Sequence, residues 1–135
     1  MANFYSKGRT NYFTVRDRDA FEAWCAEHGV TLIEDGERVG FMTDQQDAGF
    51  PLDLYDEEQD DYVETDPTGD LASMLAEGEV AVYEEVGSEK FRYFVAFAWA
   101  VNWRGEVARW HMDGIYDQAA ALLGPEKSGL THARG

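Results

Sequence analysis

From Val39 to Glu89 the chain contains no lysine, arginine or histidine, and these 51 residues hold 16 aspartates and glutamates. Charge of one sign, unrelieved over so long a stretch, cannot pair within itself; it repels itself and projects a directional field. Other absences narrow the field of roles. A single cysteine, Cys25, excludes an internal disulfide and a cysteine zinc cluster, and fits a reducing cytoplasm. No apolar run reaches the roughly 18–20 residues of a membrane span, and the segment from Met1 to Arg9 has no apolar signal core. The expectation is a soluble cytoplasmic protein. There is no phosphate loop, dinucleotide fingerprint or nucleophile elbow. No cofactor and no particular reaction are therefore indicated, and the chain is expected not to be an enzyme.

What is present is enough for one folded domain. The 135 residues are 44% hydrophobic and 14% aromatic, which supplies a sizeable core and argues against global disorder. The formal net charge is −16. Residues 1–38 carry 5 basic and 7 acidic side chains and residues 90–135 carry 6 and 4, so the flanks cancel and the excess sits in the middle. Phosphates would be repelled by such a surface, as would anionic membranes. The charge argues against direct nucleic-acid binding and against anionic membranes, and basic proteins and metal cations remain as electrostatic partners.

Along the chain, Arg9–Arg16 reads as a first strand with Phe13 and Val15 on one face. A helix follows, capped by Asp17 or Asp19, with Ala20, Phe21, Trp24, Cys25 and His28 on one side and Gly29 at its end. Val30–Glu34 and Arg38–Thr43 flank Asp35-Gly36, a strong hairpin signal. Asp44–Pro67 loses periodicity and reads as a long loop with a short strand at Leu52–Tyr55. Loops of that length are often functional. Asp66-Pro67 opens a second helix with an apolar stripe of Leu71, Met74 and Leu75, ended by Gly78. Val80, Val82 and Val86 mark a strand, and Gly87-Ser88 a turn. Lys90–Asn102 is a long central strand with one aromatic and one alanine-rich face. Glu106–Met112 is a further strand, and Asp113 caps a last helix stopped by Gly124-Pro125. The expected fold is α+β, a single domain over residues 1–125 with a loose tail at 126–135. Its mainly antiparallel sheet has about 5–6 strands and about 3 helices, in the order β-α-β-β-loop-α-β-β-β-α.

The acidic stretch is the leading candidate surface. Asp53, Asp56, Glu57, Glu58, Asp60, Asp61, Glu64 and Asp66 lie in the loop, and Glu77, Glu79, Glu84 and Glu85 on the elements after it. A solvated, solubilising surface is the bland alternative. Fully extended, residues 53–66 would space their charges about 6 Å apart at roughly 3.3–3.6 Å per residue, against about 1.7 Å of axis in duplex DNA. An extended loop is too sparse to imitate a duplex, so mimicry requires the loop to fold back on itself. Calcium binding lacks both the ligand offsets and the turn glycine that it needs. Tyr55 and Tyr62, interleaved with the carboxylates, and Trp103, in a turn beside Arg104, are candidate anchors for a protein partner. Cys25 with His28, and His111 with Asp113, have the spacing of reactive pairs, but core packing beside Phe21 and Trp24 and a helix cap at Asp113 account for them better.

Arg9-Thr-Asn-Tyr-Phe with Val15 and Asp17, then Gly78-Glu-Val-Ala-Val82, then Glu89-Lys90 with Arg92-Tyr93, resemble a pattern found in small acidic proteins of phages and plasmids. Proteins of that kind often oppose host defence, as anti-restriction or anti-CRISPR proteins that present carboxylates where phosphates would sit. The resemblance implies a cytoplasmic inhibitor in a bacterial host, acting as a DNA mimic on a basic nucleic-acid-binding complex. It assigns no individual site residue. The alternative is a protein-binding regulatory domain that uses the Trp103 turn, its acidic loop acting only as solubiliser. Self-association is compatible with either.

Overall fold

The computed structural model describes residues 5–43, 53–56, 58–89 and 93–123. They form an α+β fold: β1 (Tyr5–Thr10), α1 (Arg18–His28), β2 (Thr31–Asp35), β3 (Arg38–Thr43), β4 (Asp53–Asp56), β5 (Asp61–Glu64), α2 (Pro67–Met74), β6 (Val80–Glu89), β7 (Tyr93–Asn102), β8 (Val107–His111) and α3 (Gly114–Leu123). Six strands make one antiparallel sheet in the order β2-β3-β1-β6-β7-β8, while β4 and β5 pair separately. None of the described helices is long and apolar enough to cross a membrane. The end of the last helix signal, Gly124-Pro125, and the tail at 126–135 lie outside the described residues.

Local chemistry explains most boundaries. Asp17, in extended conformation, caps α1 by accepting from the Ala20 N–H at 3.2 Å, and Gly29 closes it at φ 69°. Only glycine enters that region without strain. Asp66 caps α2 by accepting from the Gly69 N–H at 3.0 Å, with Pro67 in the first turn. A two-residue loop, Gly36-Glu37, joins β2 to β3, with Gly36 at φ 63°.

Three expectations shift. The first strand lies earlier than Arg9–Arg16 and stops at Thr10, because Asn11 takes over its edge. The Asn11 side chain accepts from Val82 N–H and donates to Val80 C=O, and beyond it Phe13 and Val15 make only isolated bridges, to Val39 and Leu75. The second helix ends at Met74, four residues before Gly78, since Leu75 turns extended to meet Val15. Gly87-Ser88 is not a turn but the interior of β6, paired to β1 on one side and β7 on the other. Two ladders override the local turn preference of Gly-Ser.

Both α1 and α2 contribute to one core. It gathers Phe13, Phe21, Trp24, Cys25, Val39, Phe41, Leu71, Leu75, Tyr83, Trp99 and Val101. Rings pack edge-on and offset (Phe13–Phe21 at 5.6 Å, Tyr83–Trp99 at 5.2 Å), and truncating one such ring costs about 3–5 kcal/mol. The Trp24 indole N–H donates to Asp70 at 2.8 Å, tying α1 to α2. The aromatic face of β7, with Phe97, Trp99 and Val101, faces this core. The opposite face is open: Val86 is 61% and Trp110 59% exposed, beside the half-buried Ala96, Ala98 and Ala100.

Candidate functional site: the acidic hairpin

Residues 53–64 fold back on themselves. Strands β4 and β5 pair antiparallel with Asp53 opposite Glu64, Leu54 opposite Val63, Tyr55 opposite Tyr62 and Asp56 opposite Asp61. The sequence pattern predicts one short strand within a loop, at Leu52–Tyr55; the second strand carries no signal of its own, because neither segment alternates apolar and polar residues. Asp60 lies at φ 51° in the reversal, a conformation that aspartate tolerates better than most residues. Like charges directly opposed on a ladder are unfavourable, and this hairpin opposes two such pairs.

Folding back changes the charge density. Four-residue strands rising about 3.4 Å per residue, plus the reversal, give a hairpin on the order of 15 Å long with strands about 4.8 Å apart. Six acidic positions, Asp53, Asp56, Glu58, Asp60, Asp61 and Glu64, then fall about one per 2–3 Å of hairpin axis. The pleat sends Asp53 and Glu64 to one face and Asp56 and Asp61 to the other. Counted over both faces, as the duplex figure counts both strands, the spacing approaches the roughly 1.7 Å of duplex DNA, which an extended segment cannot do. Glu58, Asp60, Asp61 and Glu64 are exposed. Asp53, Tyr55, Asp56 and Tyr62 are placed by their register alone, and Glu57 lies outside the described residues.

The remaining acidic candidates separate. Asp66 is exposed but committed to its helix, accepting from Gly69 N–H and Thr68 Oγ1. Glu77 is exposed in the turn after α2. Glu79 is half-buried and accepts from the Thr14 N–H at 2.9 Å. Glu84 and Glu85 are neighbours on β6, so the pleat sends them to opposite faces. Glu84 is exposed on the open face, whereas Glu85 is 8% exposed and faces the core. The Glu85 carboxylate accepts from Ser6 Oγ at 2.7 Å and from the Tyr83 hydroxyl at 2.6 Å. Glu85 is therefore withdrawn from any partner surface and joins the folding framework. Gly8 makes room for this cluster, since a Cβ there would lie 2.1 Å from the Tyr83 oxygen. The cue was in the sequence: Ala81, Tyr83 and Glu85 share the parity opposite to the alternating valines.

Trp103 folds back onto the core rather than standing out. It is half-buried, its main-chain N–H donates to Glu79 C=O, and the Arg104 guanidinium lies over its ring at 4.8 Å. Asn102 Oδ1 accepts from the N–H groups of Arg104 and Glu106 and holds the turn. Cys25 is buried, and burial, then the nearby Glu22 carboxylate, pushes its thiol up to about 12. The reactive thiolate is thereby suppressed at neutral pH. His28, also buried, donates from Nδ1 to the Trp24 carbonyl at 2.9 Å. His111 Nδ1 accepts from the Asp113 N–H at 3.1 Å, and Asp113 immediately precedes α3. Among the described residues no cluster of three His, Cys, Asp or Glu is arranged to hold a metal ion.

The site is thus an acidic β-hairpin attached to an α+β domain through the cap of α2. No protein-family model, curated protein or solved structure matches the chain.

Proposed function

We propose that this protein is a non-enzymatic inhibitor of a host nucleic-acid-targeting defence complex, of the anti-CRISPR or anti-restriction kind. It docks its acidic hairpin on a basic nucleic-acid channel. The observation that supports this is the fold-back of residues 53–64, which packs the carboxylate positions at a spacing near that of duplex phosphates. Complementary charge speeds the encounter, and aromatic anchors such as Tyr55 and Tyr62 slow release. Glu77 and Glu84 extend the negative field, whereas Glu79 and Glu85 serve the fold. The alternative centred on Trp103 has weaker support, because that ring is half-buried and covered by Arg104.

The test reverses Asp56, Glu57, Asp60 and Asp61 to Lys and measures binding to the nuclease or surveillance complex that the native chain retains. Native binding should weaken as salt rises, compete with duplex DNA, and be lost in the reversed variant. Unchanged affinity after reversal contradicts the proposal.

A further inference from the structure

Among the described residues strand β8 is an edge of the main sheet, and all five of its residues are exposed. Its parity is fixed by two hydrogen bonds that flank it, Met112 N–H to Ala96 C=O at 2.8 Å and Asn102 N–H to Glu106 C=O at 3.1 Å. Alternation along the ladder then assigns Ala108 and Trp110 to the bonds with β7, while the N–H and C=O groups of Val107, Arg109 and His111 point away from the sheet. An unpaired row of this kind is a template for another strand. The strand has no proline, lysine or carboxylate to discourage pairing.

Beside it, on the core side of the sheet, lies a groove of about 550 Å³ with Phe97, Trp99, Arg109 and His111 on one side and Glu64 and Asp66 on the other. Among the described residues neither the Arg109 guanidinium nor the Glu64 carboxylate has an ion-pair or hydrogen-bond partner. Asp66 is already engaged as a helix cap, so Glu64 is the groove's uncommitted carboxylate.

We infer that β8 is a homodimerisation edge, pairing antiparallel with β8 of a second copy so that Arg109 of each chain enters the groove of the other and meets its Glu64. Centred on Trp110, the pairing sets Arg109 against the partner's His111 and the reverse, both pairs bonding through the outward main-chain groups. Residues paired across an antiparallel ladder share a face, so the incoming arginine lies on the groove side. On the other face Trp110 meets the partner's Trp110 in the close, non-hydrogen-bonded position suited to aromatic pairs. That accounts for a tryptophan left 59% exposed. Charge selects a second copy at this edge. Chains of net charge −16 repel except where acid is scarce, and from Lys90 to Met112 there are four cations and a single carboxylate, Glu106. The dimer would carry two acidic hairpins. Its existence does not depend on the proposed target.

Sedimentation equilibrium of the full chain tests this without any target. The native protein should sediment at twice 15.3 kDa at concentrations on the order of 10 µM. Arg109→Pro, which removes only an outward N–H from the ladder, and Arg109→Glu should both give folded monomers by circular dichroism. The Glu64→Arg/Arg109→Glu double variant should recover the dimer. A native monomer up to about 1 mM, or a dimer indifferent to both Arg109 substitutions, overturns the inference. Failure of the double variant to recover the dimer overturns the Glu64–Arg109 pairing.

Discussion

Glu85, buried in the middle of the sheet, accepts hydrogen bonds from Ser6 and Tyr83, whereas Glu64 lies exposed at the base of a hairpin, opposite Asp53. The two side chains are identical, and both come from the stretch that holds no cation. Inside the sheet the carboxylate is matched by hydroxyl donors and serves the fold. On the hairpin carboxylate positions face each other across the ladder at some cost to stability, the pattern expected where function sets the sequence. A charge count lumps the two together, and strand parity separates them.

Substitutions at the interior cluster should have the largest effects. Tyr83→Ala removes a fully buried ring and one of the Glu85 donors, and should cost about 3–5 kcal/mol in guanidinium unfolding. Glu85→Leu leaves the Ser6 and Tyr83 hydroxyls without this acceptor and should cost roughly 2–4 kcal/mol. A change at Glu85 close to zero would place it with the hairpin carboxylates and erase the contrast.

A second interior group gives a pH signature. The Cys25 thiol is held at about 12 in the fold against an ordinary value of 9.0. The native state therefore binds this proton more tightly than the unfolded chain. The stability it confers is complete below pH 9.0 and drains away as pH rises towards 12. Native protein should lose stability between pH 9 and 11 more steeply than Cys25→Ala. A thiol reagent at pH 8 should modify Cys25 only after unfolding.

The hairpin should behave in the opposite sense, with small effects on stability. Asp61→Lys turns the like-charge register with Asp56 into an attractive one and should stabilise the protein by about 0.2–1 kcal/mol while weakening target binding. Stability and binding moving in opposite directions would mark the hairpin as a functional surface. Added salt should likewise raise the thermal midpoint slightly by screening self-repulsion.

Elements with local signals were legible in the sequence. Asp17 and Gly29 bound α1, Asp66-Pro67 opens α2, and the two-faced pattern of Lys90–Asn102 marks β7 as a central strand. Less visible were features decided at a distance. The place of β1 between β3 and β6 depends on partners 33 to 83 residues away. Gly87-Ser88 is extended because two neighbouring strands hold it. The acidic stretch was visible as charge and its hairpin was not, because opposed carboxylates are an unfavourable pairing that no propensity rule anticipates. Trp103 looked exposed from its position in a turn, and the Arg104 stack over its ring is a tertiary contact.

The central claim is that the fold-back of residues 53–64 creates a phosphate-like surface for a basic channel. The most direct measurement immobilises native protein and the Asp56, Glu57, Asp60, Asp61→Lys variant side by side, passes a bacterial lysate over both, and elutes with salt and then with duplex DNA. A nucleic-acid-binding complex retained only by the native chain, and displaced by duplex DNA, is the predicted result. The same complex retained equally by both, or indifferent to DNA, contradicts the account.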